Sequence, residues 1–240
     1  MKGIVDIHCH ILPGIDDGAK TMEQSINMLR QAYREGIRGI IATPHYHIGR
    51  TKSDKALCEK VIDLLREEVD RLGMNMELYL GMEIYYYSEA MEMLKENKIQ
   101  TMADSRYILI EYDPSTDYQR IKQGVRDAIS SGYYPIIAHV ERYSCLVLDD
   151  SKCEELVDSG ALLQVNATSI TGDYGKDAMK FIKKLLKKEL VSFVATDAHS
   201  DGRRCPKIAE SFEYVRKKYG EDYAKLIYRD NPLSIINSKK

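Results

Sequence analysis

Short apolar runs rich in β-branched residues alternate along this chain with longer stretches whose apolar positions recur every three to four residues. The runs are GIVDIH (3–8), RGIIAT (38–43), MELYLGME (76–83), YILIEY (107–112), YPIIAH (134–139), ALLQVN (161–166) and VSFVAT (191–196). They are apolar at most positions, as strands buried on both faces must be. Between them, MEQSINMLRQAYREG reads as a helix that opens on Thr21 as N-cap and closes on Gly36. SDKALCEKVIDLLREEVDRLG and YGKDAMKFIKKLLKKE carry the same amphipathic period. Seven strand–helix units predict an α/β fold. The expected form is a distorted seven-stranded (β/α)7 barrel, TIM-barrel-like, making one domain over residues 1–240.

Composition narrows this picture without changing it. The 240 residues are 44% hydrophobic, enough for one sizeable domain. The net charge of -2 gives no basic excess for nucleic acid or an anionic membrane. No stretch approaches the roughly 18 apolar residues of a membrane span. Lys2 precedes only a short apolar run that histidines interrupt, so no signal peptide is expected. The five cysteines are irregularly spaced and predict a reducing, cytoplasmic setting. Lys239 and Lys240 read as a solvated tail.

The candidate chemistry lies where the runs end. His8 and His10 close the first strand, and His45 follows the second. Glu83, Glu111 and His139 end the third, fourth and fifth, while Asp197 and His199 follow the seventh. A lone histidine or glutamate at a strand end is ordinarily a hydrogen-bonded or solvated residue. Here five of the six histidines take such positions together with three carboxylates. In a β/α barrel these ends share one rim, where active sites lie. Imidazole and carboxylate ligands without a required thiolate suit Mn, Fe or Zn. Their number exceeds what one ion needs, so a multinuclear site is expected, of the kind that clamps a phosphate and activates water. Asp16 and Asp17, between Gly14 and Gly18, fit either a ligand or a turn. Strand alternation turns His8 and His10 one way and Cys9 the other, which makes Cys9 a core residue.

Cysteine-based phosphatase chemistry fails on spacing. It needs an arginine six residues after the nucleophile, so that one guanidinium and a loop of amides hold phosphate. The residues six after Cys9, Cys58, Cys145, Cys153 and Cys205 are Ile15, Leu64, Ser151, Ser159 and Ser211. A GxSxG nucleophile elbow is also missing.

The ordered set DIHCHILPGIDDG, ATPHY, GMEIYY, AHVERY and TDAHS, closing on DNPLSIIN, resembles the PHP (polymerase and histidinol phosphatase) superfamily. Within it, the chain is most similar to the capsule-operon tyrosine phosphatases of Gram-positive bacteria, the CpsB/CapC/YwqE type. The resemblance covers essentially the whole chain. It implies three divalent ions, usually Mn with Fe, Mg or Zn as alternatives in some sites, and hydrolysis of protein phosphotyrosine. By matching position it implies one ion on His8, His10, Glu83 and Asp197. A second would sit on Glu83, Glu111 and His139, and a third on Asp17, His45 and His199. Arg142 and Arg204 match arginines that hold phosphate, and a ligand-side histidine such as His45 or His199, or a ligand-side aspartate, would protonate the leaving phenolate. The expected partner is the tyrosine-rich tail of a bacterial tyrosine kinase, in capsular or exopolysaccharide synthesis. The alternatives are a phosphoesterase for a small ester such as histidinol phosphate and a non-catalytic, metal-binding regulator of the kinase. Members often have two adjacent histidines after TP. This chain has His45-Tyr46-His47, and His47 reads either as a stand-in for the second histidine or as a loop residue, with the loop favoured. Tyr85, Tyr86 and Tyr87 read equally as strand-end packing or as a peptide-binding wall.

Overall fold

A computed structural model describes residues 3–51 and 53–238, so Lys2, Lys239 and Lys240 lie outside the described residues. In chain order, β1 (Ile4–Cys9) is followed by α1 (Met22–Arg34), β2 (Ile37–Ala42), β3 (His45–Tyr46) and α2 (Lys55–Arg71). Next come β4 (Glu77–Leu80), β5 (Glu83–Tyr85), α3 (Ala90–Lys95), β6 (Tyr107–Glu111), α4 (Tyr118–Ser130) and β7 (Tyr134–Ile137). The remainder is α5 (Ser144–Val147), α6 (Ser151–Asp158), β8 (Leu162–Asn166), α7 (Ala167–Thr171), α8 (Lys176–Lys187), β9 (Val191–Ala195), α9 (Ala209–Tyr219), α10 (Glu221–Lys225) and α11 (Asn231–Asn237).

The helices form for local reasons. The Thr21 hydroxyl accepts from the Gln24 N–H at 3.2 Å and caps α1, and Asp54 caps α2 by accepting from Leu57 N–H at 3.1 Å. In α8, Ala178, Phe181, Ile182, Leu185 and Leu186 form one buried stripe at helical spacing.

The strands are all parallel, but the single closed seven-stranded barrel is not found. The described residues hold nine strands in two sheets, ordered β1-β2-β4 and β3-β5-β6-β7-β8-β9. One expected strand divides, and one short strand, β3, lies beyond the expected runs. Pro44, which has no N–H to donate, separates β2 from the short β3. The run 76–83 breaks at Gly81-Met82, so β4 pairs with β2 while β5 pairs with β3 and β6. Gly81 sits where a Cβ would lie 2.8 Å from Met102 Sδ and 3.0 Å from Ile41 Cγ2, so the crossing leaves no room for a side chain. Past β9, Asp197 N–H donates to His8 O and His10 N–H donates to Ala198 O, both at 2.8 Å, which ties the first strand to the last.

The inner faces are graded. Val5, Ile7, Ile41, Leu109, Ile136, Ala138, Phe193 and Ala195 form an apolar inner cluster, closed by Met102 and Ala103 and by Ile235 and Ile236 of α11. Further along the same faces the residues turn polar: Glu111 two after Leu109, Gln164 and Asn166 beyond Leu162, and Asp197 two after Ala195. In β1 the parity shifts. Asp6 faces Ile40 and Cys9 faces Ala42, so three steps on β1 match two on β2. This bulge lets Val5 and Ile7 enter the inner cluster while Cys9 joins the outer one, leaving His8 and His10 to point inward.

Candidate metal centre

The inward ends of six strands and their loops converge on Glu83. Its Oε2 lies 3.2 Å from His8 Nε2, 3.3 Å from His10 Nε2 and 2.9 Å from His45 Nδ1, while Oε1 lies 2.9 Å from His139 Nε2. Asp197 Oδ1 is 3.5 Å from His8 Nε2, His10 Nε2 and His199 Nδ1. Glu111 is 3.4 Å from His45 Nδ1 and 3.5 Å from His139 Nε2. Asp17 Oδ1 is 3.4 Å from His45 Nε2 and 3.5 Å from His199 Nε2. Every ligand candidate named from the sequence is therefore in one cluster. His47 is in none of the ligand groups found among the described residues.

The donor set fits metal ions. Glu83 Oε2 and His45 Nδ1 are buried without a hydrogen-bond partner although they are 2.9 Å apart, so their lone pairs are not directed at each other. His8 Nε2, His10 Nε2 and Asp197 Oδ1 stand 3.2–3.5 Å apart in all three pairs, and Glu83 Oε2 adjoins both imidazoles at 3.2 and 3.3 Å. A triangle with such edges surrounds a point about 2 Å from each of its three atoms, the length of a metal–nitrogen or metal–oxygen bond. Charge agrees. Burial opposes a proton on His45 and His139, yet the Glu83 and Glu111 carboxylates outweigh it and push them up to about 10 and about 9. The cluster demands positive charge, which divalent cations also supply.

Asp16 and Asp17 separate cleanly. Asp16 Oδ2 accepts from His10 Nδ1–H at 2.7 Å and from His45 N–H at 2.9 Å, and Oδ1 accepts from Gly18 N–H at 2.9 Å. Burial opposes its ionisation, but the charge on His10 holds Asp16 well below the usual carboxylate range. It orients His10 from behind. Asp17, with 64% of its side chain exposed, faces the imidazoles of His45 and His199. The turn depends on Gly18, where a Cβ would lie 2.2 Å from His10 O.

Sequence reasoning missed the supporting layer. Gln164 Oε1 accepts from His139 N–H at 2.8 Å and lies 3.1 Å from His8 Nδ1. Asn166 donates to Asp197 Oδ2 at 2.9 Å, and Asp6 accepts from Thr196. Polar residues closing the apolar run ALLQVN were the available signal. His139 was expected to end a strand, but β7 stops at Ile137 and His139 has φ 33°, while Asp197 has φ 51°. Left-handed backbone at two bulky polar residues costs about 1–3 kcal/mol each and is typical of built sites. Arg142 and Arg204 both reach Asp197 Oδ2, the latter at 3.0 Å. Burial pushes the Cys58 and Cys153 thiols up to about 12, opposite to what a thiolate nucleophile needs.

A family model for capsular polysaccharide synthesis proteins of the CpsB/CapC type matches residues 4–237. The chain belongs to the CpsB/CapC family. Tyrosine-protein phosphatase CpsB of Streptococcus pneumoniae is 34% identical over 238 residues, covering 97% of this chain and 98% of that protein. Tyrosine-protein phosphatase YwqE of Bacillus subtilis is 34% identical over 234 residues, covering 98% of this chain and 92% of that protein. A crystal structure from work on YwqE and CpsB, described as metal-dependent tyrosine phosphatases, superposes with a TM-score of 0.91. It is 33% identical and covers 99% of this chain and 96% of the other. This CpsB/CapC member has, among its described residues, no helix long and apolar enough to cross a membrane.

Proposed function

We propose that the protein is a manganese-dependent protein tyrosine phosphatase, a single domain over residues 1–240. Its substrate would be the tyrosine-rich tail of a bacterial tyrosine kinase that controls capsular or exopolysaccharide synthesis. The observation that carries this reading is Glu83. Its buried carboxylate stands among four imidazoles with one oxygen unpaired, beside an Asp197 that two guanidiniums reach. The sets His8, His10, Glu83 and Asp197, then Glu83, Glu111 and His139, then Asp17, His45 and His199 would hold three ions. Divalent ions there supply Lewis acidity toward phosphoryl oxygens and lower the pKa of water.

The chain's own groups do the rest. Arg142 and Arg204 present planar donor forks that hold the phosphoryl oxygens and oppose charge developing on them. The buried His8, His10 and Glu83 keep bulk water from one side of the ester. At the rim, Asp17 stands exposed between His45 and His199, and a leaving phenolate, whose pKa is near 10, would take its proton there from solvent.

The test uses chelator-stripped protein given Mn²⁺ and offered a phosphotyrosine peptide or histidinol phosphate. Mn-dependent phosphate release from the peptide, with little from histidinol phosphate, is expected. Release from histidinol phosphate alone would move the activity to small metabolites. Release from neither, with metal bound, would leave a regulator.

A further inference from the structure

Of the three consecutive tyrosines at the end of β5, only the middle one is built into the core. Tyr86 is buried, packs on Tyr112 with ring centroids 5.3 Å apart, and donates its hydroxyl to Asp127. Alternation turns Tyr85 and Tyr87 to the opposite side. Both are partly exposed, and neither joins either apolar cluster. They gather around His47 instead. Its ring lies 4.2 Å from Tyr85 and 6.1 Å from Tyr87, the two tyrosine rings are 5.2 Å apart, and Tyr87 Oη is 3.3 Å from His47 Nδ1.

The place of this group follows from register. β3 and β5 pair His45 with Glu83 and Tyr46 with Ile84, so the next same-facing residues are His47 and Tyr85. Two residues advance a strand by about 6.6 Å, which sets His47 and Tyr85 one level beyond the ligands, with the Tyr87 ring packed against both from past the end of β5. That step matches the reach from phosphorus across a phenol ring. A cleft of about 480 Å³ is lined by Asp17 and His45 of the ligand level and by His47 and Arg50 of the next, so His47 faces it and Tyr85 and Tyr87 stand behind that ring. Aromatic rings that the core does not use, beside a cleft opening on a ligand cluster, offer face and edge contacts to another ring.

We infer that His47, Tyr85 and Tyr87 form the seat for the phenol ring of the substrate and set a preference for aryl over alkyl phosphate esters. The inference rests on the phosphatase reading above and goes beyond it by assigning the selectivity to residues outside the ligand cluster. A phosphoserine ester places its phosphorus too close to the peptide backbone to carry any group onto this level, and it gains nothing from the rings.

The test compares phenylphosphonate and methylphosphonate as competitive inhibitors of Mn-loaded protein hydrolysing a phosphotyrosine peptide. The two share a charged head and differ in the ring. Tyr85→Ala is expected to raise the inhibition constant of phenylphosphonate about five- to tenfold. That of methylphosphonate should stay within about twofold, and Tyr85→Phe should behave as wild type. His47→Ala, on a different strand, is expected to repeat the pattern. Equal shifts for both inhibitors, or none, in both alanine variants would overturn the ring seat while leaving the phosphatase reading intact. Wild-type protein that releases no phosphate from the peptide with metal bound would defeat the phosphatase reading itself.

Discussion

The two sides of the ligand cluster are built differently. His8, His10, Glu83, His139 and Asp197 are all at most 3% exposed, and Asp16, Gln164 and Asn166 brace them from behind. Asp17, His45 and Glu111 lie at the rim with 64%, 22% and 17% of their side chains exposed. A buried ligand cannot turn away to solvent, so the inner side is organised before any ion arrives. The rim can adjust as substrate enters and product leaves. Loss of an inner group should therefore cost the braced ion site as a whole, and loss of a rim ligand the hold on the more exposed ions together with the handling of substrate.

The largest break is expected at Glu83, whose carboxylate lies within 3.3 Å of four imidazoles. Burial works against its charge, but His8 and His45 hold it well below the usual range, so it is an anion throughout the neutral region. Glu83→Gln keeps the shape and removes that charge. Metal content measured by elemental analysis should fall, and turnover should drop by roughly 1000-fold. Folded Glu83→Gln protein with wild-type metal content and turnover would end the assignment of this carboxylate to two ions.

This division was partly legible in the sequence. Apolar strands that end in His8, His10, Glu83, Glu111 and Asp197 announce a polar layer above an apolar one, because strand ends in a parallel α/β fold share a side. The local devices that aim those residues were not legible. The bulge in β1 that reverses parity between Ile7 and His8 depends on pairing with β2, which periodicity within one strand does not carry. The division of 76–83 at Gly81 depends on the approach of Met102 and Ile41 from distant segments. That same division sets Glu83 on β5, next to the edge strand β3 of the six-stranded sheet. The separate duties of Asp16 and Asp17 appear only once the turn folds back on His10. The count of strands failed where tertiary pairing decides, and the location of the polar layer succeeded where the pattern alone decides.

Next in size is a stability effect beneath the inner side. Asp6 is fully buried, and burial raises its carboxyl to about 6 even though Thr196 and His8 donate to it. The usual value is 3.8. The folded protein thus holds this proton more tightly than the unfolded chain does. Wild-type stability loses that contribution as pH rises from about 4 to about 6 and loses no more of it above. Asp6→Asn cannot titrate. The unfolding free energy of wild type minus that of Asp6→Asn should fall by about 3 kcal/mol between pH 3.5 and pH 7, measured on metal-stripped protein by denaturant titration. A difference independent of pH would show that Asp6 is not kept protonated by its surroundings, and the inner side would lose one of its distinguishing costs.

The smallest effect should separate two arginines that share one acceptor. Arg142 follows the strained His139 and is largely buried, whereas Arg204 has 43% of its side chain exposed on the loop after His199. Both donate to Asp197 Oδ2. Arg204 also holds its loop by its backbone, since its carbonyl accepts from His199 N–H at 2.8 Å, and substitution leaves that bond in place. Arg204→Ala should therefore keep full metal content and lower kcat/KM for a phosphotyrosine peptide by roughly tenfold, the worth of one charge-assisted contact at a half-exposed site. Arg142→Ala should cost more, because it also leaves Asp197 short of its buried partner. Unchanged kcat/KM in Arg204→Ala would remove that residue from phosphate binding. Metal loss in Arg204→Ala would mean that a rim group supports the inner ligands, and the contrast between the two sides would have to be redrawn around Asp197, which both arginines touch.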